Sequence, residues 1–255
     1  MHAALFTSRH AAPSAAAASA AHASLQIQDV LAHVARRHAH QAPDLRLQHL
    51  LDAVDACAHM VAARRVMAQV LDVQQRIERL DELARGRERV LGLSAEASRA
   101  LATHTAGARD RAACALAHWR RVSQAFAQRT GLLPTQLPHD AAWPPTPTAA
   151  QQQAWNQALG PNASASALIL WERTQQRWRA AQGRCESVRA GVRAATGKRI
   201  AAHRSQRIGQ GSLSGLARAW LNELDARGEW LWLEAECAAA QCALGLLRAH
   251  TGCLR

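Results

Sequence analysis

The chain contains an internal repeat of long helical hairpins, and this repeat limits the possible folds more than any other feature. In the first copy, an Ala- and Arg-rich helical run precedes a glycine-containing turn at 87–94, and a second run ends at Gly131. In the second copy, a helical run precedes a similar turn at 207–214, and another ends at Gly252. Because each repeat is one supersecondary unit, the sequence predicts two helix–turn–helix hairpins.

Apolar residues in these runs alternate at intervals of four and three residues. The clearest stretch is Val66, Val70, Val73, Ile77 and Leu80. This average spacing of 3.5 residues is typical of coiled coils. Tyr is absent, Phe occurs twice and β-branched residues are sparse, so little material is available for a sheet. We therefore expect an all-α fold with two long antiparallel coiled-coil hairpins arranged as an internal repeat and joined by a Pro-rich linker.

Composition divides the chain into four segments. These are an Ala-rich leader at 1–23, a first helical repeat at 24–131 with its turn near 92, a Pro-rich linker at 132–163, and a second helical repeat at 164–255 with its turn near 209–215. The leader ends in Ala21-His22-Ala23, a cleavage pattern of secretory signals, but its middle is poorly hydrophobic. A signal peptide and a disordered leader both fit it.

Charge and cysteine content bound the possible partners. The net charge is +12, but arginines often stand beside acids and no block of like charge occurs. No aromatic-plus-basic motif of a nucleic-acid module is present, so a nucleic-acid partner is not expected.

Six cysteines without a Cys-x-x-Cys motif are too few for a disulfide scaffold. They fit small apolar positions and favour a reducing compartment.

No catalytic, cofactor or metal site is predicted. The chain has thirteen histidines, but His33 and His40 share a helix face that His38 does not, and no Cys or acid completes a ligand set. The glycines near 209–211 follow a helix rather than a strand, which is the wrong context for a dinucleotide site. We therefore expect a protein that is not an enzyme. Trp119, Trp171, Trp178 and Trp220 fit apolar core positions better than a ligand cage.

The repeated hairpins are similar to those of a known protein family. The chain resembles the TolC-type outer-membrane efflux proteins, whose protomers contain two repeated halves, each with a long coiled-coil hairpin. Four parts of the sequence are similar to that family: the opening helix at 24–45, the first turn at 92–94, the end of the first repeat at 126–134, and the last hairpin from 207–214 to 246–252.

The resemblance implies a trimeric helical tube in the outer membrane and periplasm, without cofactors. The tube would be a passive conduit of a tripartite exporter, opened by uncoiling of hairpins, with a periplasmic adaptor and an inner-membrane pump as partners. Adaptor contacts would fall on the hairpin ends, at Gly92, Leu93, Ser94, Gly211, Ser212 and Ser214. Simple helix-turn geometry explains these residues equally well.

The sequence also departs from the family. TolC-type proteins insert β-strands between the helices of each half, and no strand-like stretch separates 46 from 91 or 162 from 207. The alternative function is therefore a non-transporting helical scaffold or interaction protein derived from that family. If the N-terminus is not a signal, a cytoplasmic location is expected instead.

Overall fold

The computed structural model describes residues 26–91, 95–137, 153 and 164–252. Within these residues the elements are α1 Ile27–Arg37, α2 Pro43–Leu91, α3 Ala95–Thr130, a short 3-10 helix Pro134–Gln136, α4 Ala165–Arg207 and α5 Leu213–Gly252. No strand occurs in the described ranges. The leader and most of the linker lie outside them, so the four segment boundaries stay predictions.

Helices α2 and α3 form one antiparallel hairpin, and α4 and α5 form the other. Phe126 of α3 packs near Cys57 of α2, whereas Leu101 of α3 packs near Ala84 of α2, so these two helices run in opposite directions. Ile77, which lies on the predicted apolar seam of α2, is fully buried. The all-α fold with two long antiparallel coiled-coil hairpins is thus confirmed.

The two hairpins pack side by side through α2 and α5. Small side chains in the middle of this contact let the backbones approach closely; they belong to Ala58, Ala62, Ala235 and Ala239. Leu47 of α2 packs with Leu247 of α5 at one end, and Ile77 packs with Leu216 at the other. The helices are therefore antiparallel, and the C-terminal end of α2 lies at the same end of the molecule as the turn between α4 and α5.

Helices α3 and α4 form the two sides of the molecule. α3 packs on α2 and also touches α5, while α4 packs mainly on α5. Because α4 has one main neighbour, only Ala167, Trp171, Trp178 and Ala181 are buried among its 43 residues. The predicted core positions of Trp171 and Trp178 are confirmed, whereas Leu168 and Gln182, at the same four-three spacing from them, are exposed.

Two contacts hold the outer parts of the first repeat against α2. Helix α1 places Ile27 and Val30 against the α2–α3 hairpin. Arg64 of α2 is buried and donates hydrogen bonds to the carbonyl oxygens of Pro134, at 2.7 Å, and Leu137. A buried cation needs such acceptors, so Arg64 fixes the start of the linker.

Candidate functional site

The end of the second hairpin is a tight turn with its hydrogen bonds satisfied. Gly209 has a φ of +76°, the left-handed conformation that glycine adopts readily and that commonly follows a helix C-terminus. The N–H groups of Gln210 and Gly211 donate to the carbonyl oxygen of Ser205 at 2.9 and 3.0 Å. Ser212 then caps α5, since its Oγ accepts from the N–H of Gly215 at 2.9 Å.

Gly211 is required here because of a close backbone approach. A Cβ atom at this position would lie 2.7 Å from the backbone nitrogen of Gln206. The geometry therefore accounts for Gly211 and Ser212 as turn residues. Ser212 is also exposed, and Ile208 beside the turn is 68% exposed. Arg207 and Gln210 are exposed as well, so these four side chains form the accessible surface of this hairpin end.

The other predicted contact residues are placed differently. Ser214 lies in the first turn of α5 and is partly buried. Gly92, Leu93 and Ser94, from the first hairpin, lie outside the described residues. The structure brings the C-terminal end of α2 and the turn between α4 and α5 to one end of the molecule, but adaptor contact by these six residues stays a prediction.

Ion pairs between the hairpins are a feature that the sequence did not reveal. Arg111 of α3 contacts both carboxylate oxygens of Asp225 in α5, at 3.1 and 3.0 Å. Arg65 of α2 contacts Glu234 of α5 at 3.3 Å. The partners are more than 100 residues apart in the chain, so local spacing contains no signal for them.

Arg177 of α4 makes the most central of these links. It contacts Asp55 of α2 at 2.8 Å and Glu236 of α5 at 3.2 Å, which joins three helices. All three side chains are partly exposed. Because solvent screens such pairs, each contributes at most about 1 kcal/mol. They orient the helices more than they hold them together.

A buried acidic side chain joins α4 to α5 in the half nearer the turn. Glu223 is 6% exposed and accepts a hydrogen bond from Thr196 Oγ1 at 2.8 Å. It also pairs with Arg199 of α4 and, at 2.9 Å, with Arg227 of α5. A cleft of about 250 Å³ lies beside this group. Two arginines balance one buried carboxylate, so the arrangement serves packing between helices rather than acid–base chemistry.

The histidines do not assemble a metal site in the part of the chain that the structure describes. His38 stacks on His49 with 3.9 Å between ring centroids, and desolvation followed by the neighbouring His49 lowers the pKa of His38. No group of three or more His, Cys, Asp or Glu side chains there is arranged to hold a metal ion. Trp171 and Trp178 are buried and Trp119 and Trp220 pack against the core, as predicted.

None of the helices within the described residues is both long and apolar enough to cross a membrane.

No protein-family model matches the sequence, and no curated protein matches it. Among solved structures, the fold is similar to one described as "Structural insights of the outer-membrane channel OprN". The TM-score is 0.58 at 12% sequence identity, and the match covers 89% of this chain and 70% of that chain. At this identity the likeness concerns the fold alone. It supports the TolC-type fold that the sequence resemblance implied.

Proposed function

We propose that this chain is a component of the conduit of a tripartite exporter, and that cargo passes through it without covalent chemistry. The observation that supports this proposal most is the arrangement of the hairpins. Two antiparallel coiled coils lie side by side, with the C-terminal end of α2 at the same end as the turn between α4 and α5, in a fold similar to that of an outer-membrane channel. By resemblance to the TolC-type family, such hairpins form the wall of a tube.

A tube requires several copies, and the helix order suggests where they meet. α3 and α4 are the outer helices of one copy, so a closed ring would join α4 of one copy to α3 of the next. Ile169 and Ile200 on α4 and Leu116 on α3 are apolar yet 53%, 38% and 37% exposed. Burial of these side chains would favour association, and the resemblance favours a trimer.

Opening of the conduit would first break the ion pairs between the hairpins. The α2–α5 contact is built from apolar side chains, and α3 adds Ala112 beside Leu224 of α5, whereas the Arg111–Asp225 and Arg177–Asp55 pairs are partly exposed. Separation of screened ion pairs costs far less than exposure of a packed apolar surface. We infer that these pairs separate first, while α2 and α5 stay together and each outer helix stays packed on its own hairpin partner.

The partners follow from the same proposal. The hairpin ends would meet a periplasmic adaptor, which would in turn contact an inner-membrane pump. The mature chain would then be found in the outer membrane or periplasm. At the second turn, an adaptor would contact the exposed side chains of Arg207, Ile208, Gln210 and Ser212.

Cell fractionation combined with native mass spectrometry tests the conduit. We expect the mature chain in the envelope fraction and a trimer after purification. Ile169→Glu with Ile200→Glu should leave the helix content unchanged and reduce the trimer to monomers. Leu45→Glu, which changes a residue of α2 that is 58% exposed, is the matched control and should leave the trimer intact.

A photo-crosslinking amino acid at Ser212 tests the adaptor contact. The expected product is a covalent adduct with an envelope protein, absent when the same group replaces Ser187, an exposed serine in the middle of α4. Equal adducts from both positions would exclude recognition at the hairpin end. A monomer recovered only from the cytosol would contradict export and favour the non-transporting coiled-coil scaffold.

A further inference from the structure

Four of the five cysteines in the described part of the chain lie near another cysteine on a neighbouring helix. Cys185 of α4 and Cys237 of α5 line one cleft of about 400 Å³ between these helices. Cys57 of α2 and Cys242 of α5 form a second, more buried couple. The fifth, Cys114, is exposed on α3. Spacing along the chain gives no hint of these couples, because α5 meets α4 and α2 through different faces.

The two couples differ in access. Cys185 and Cys237 are both partly exposed and open into the cleft, whose rim carries the Arg65–Glu234 ion pair. Cys57 is fully buried, so a reagent reaches its thiol only when helices separate. Of the two couples, the one in the cleft is therefore the accessible pair.

The pKa values of the Cys185 and Cys237 thiols are consistent with the two side chains lying near each other. Burial, followed by the charge of Cys185, raises the pKa of the Cys237 thiol to about 11. Burial also raises the pKa of the Cys185 thiol, and nearby Glu234 adds to the effect. Since the thiolate is the form that attacks a disulfide, both thiols react slowly at neutral pH and faster as the pH rises.

We propose that Cys185 and Cys237 form an intramolecular disulfide that ties α4 to α5 within the second hairpin. In an oxidising compartment, a thiolate of the pair attacks a disulfide donor such as oxidised glutathione and releases one glutathione thiol. The second protein thiol then displaces the other glutathione. One S–S bond forms in the protein as one breaks in the donor, and the two thiol protons end on two glutathione molecules. This bond is independent of the export proposal, because it depends only on the packing of α4 on α5.

The purified full-length chain, reduced and then incubated with oxidised glutathione at mildly alkaline pH, tests the proposal. Free thiols are alkylated, and the unreduced protein is digested with trypsin. We expect peptide 185–189 linked to peptide 228–248, and a faster rate of linkage as the pH rises. The oxidised chain should also melt about 5 °C or more above the reduced chain, because a bridge across a long loop restricts the unfolded state.

Three variants identify the atoms involved. Peptide 228–248 contains both Cys237 and Cys242, so Cys237→Ala and Cys185→Ala should abolish the link, whereas Cys242→Ala should keep it. Separate glutathione adducts on Cys185 and Cys237 without a link would overturn the proposal. So would a bridge only between Cys57 and Cys242, or a link only between two copies of the chain.

Discussion

At the scale of single residues, glycine acts in this chain in two distinct ways. Gly211 is needed for space, because a Cβ atom would meet the backbone of α4. Gly228, in the interior of α5, has no atom within 4 Å of such a Cβ position. One residue type thus stabilises a turn at one position and weakens a helix at another.

Gly211→Ala should destabilise the fold by about 1–3 kcal/mol, because backbone atoms cannot move aside cheaply. Urea unfolding followed by circular dichroism measures the change. Gly228→Ala is the matched control and should stabilise the protein by up to about 1 kcal/mol, since alanine favours helix. If both substitutions have the same effect, close approach is not the reason for Gly211.

Two histidines around Trp232 give the fold a pH dependence. The ring of His118 lies edge-on to Trp232 at 5.2 Å between centroids, and that of His59 lies at 6.0 Å. Burial lowers the pKa of His118, helped by Arg121 and His59. Burial also lowers the pKa of His59. The nearby Asp55 carboxylate raises that pKa, and Arg177 and Arg129 lower it further by smaller amounts.

Stability should therefore fall as the pH drops through about 6.5, because the unfolded chain binds these protons first. Above that value both states are neutral and the contribution is constant. His118→Gln should reduce the slope of unfolding free energy against pH below about pH 6.5. Ser187→Gln, on the exposed side of α4, changes no titratable group and should leave the slope near that of the wild type. An unchanged slope in His118→Gln would contradict this assignment.

At the scale of whole elements, α4 is the least buried of the four long helices, and it contains three interior glycines. Gly183, Gly191 and Gly197 each disfavour a helix by about 1 kcal/mol relative to alanine, yet α4 runs without interruption from Ala165 to Arg207. Ser164 caps its start by accepting from the N–H of Ala167 at 3.2 Å. Contact with α5 supports a helix that local propensity disfavours.

Replacement of all three glycines by alanine should stabilise the protein by roughly 2–3 kcal/mol. This gain in stability corresponds to a rise in Tm of about 5–10 °C. No steric clash offsets it, because no atom lies within 4 Å of any of the three new Cβ atoms. Gly209→Ala is the control, since the space there is also open but φ is +76°. It should destabilise the fold by about 1–2 kcal/mol. A triple variant no more stable than the wild type would show that α4 needs these glycines for another reason.

In the molecule as a whole, the contact between α2 and α5 packs the two hairpins into one structural unit. Ala239 is fully buried there, in the cluster that includes Ala58 and Ala62 of α2. Small side chains at these positions set the distance between the helices. The stability of the pair therefore depends on volume rather than on hydrophobicity alone.

Ala239→Leu should push the hairpins apart and cost at least about 1–3 kcal/mol despite the larger apolar side chain. Unfolding in urea should lose cooperativity, because each hairpin then unfolds more independently. Ala249→Leu, at an exposed position of α5, is the control and should change stability by about 0.5 kcal/mol or less. A fully cooperative, equally stable Ala239→Leu variant would contradict close packing at this contact.

Local features of the sequence were enough to predict the long helices and the turn of the second hairpin. The four-three spacing of apolar residues, the glycines near 131 and 209–211, and the scarcity of sheet-forming residues all act over a few residues. Gly131 ends α3 with a φ of +74°, as expected for a helix C-cap. The candidate hairpin end was found in the same way, because its glycines and its capping serine are adjacent in the chain.

Short-range patterns in the sequence are therefore sufficient to predict long α-helices that pair as two antiparallel hairpins. The tertiary structure is needed to show that α2 and α5 form the centre, that Arg177 pairs with Asp55, and that Cys185 and Cys237 line one cleft. Helical periodicity states which face of a helix is apolar, but not which other helix covers it. That choice depends on the summed packing of distant side chains, and no local pattern along the chain encodes it.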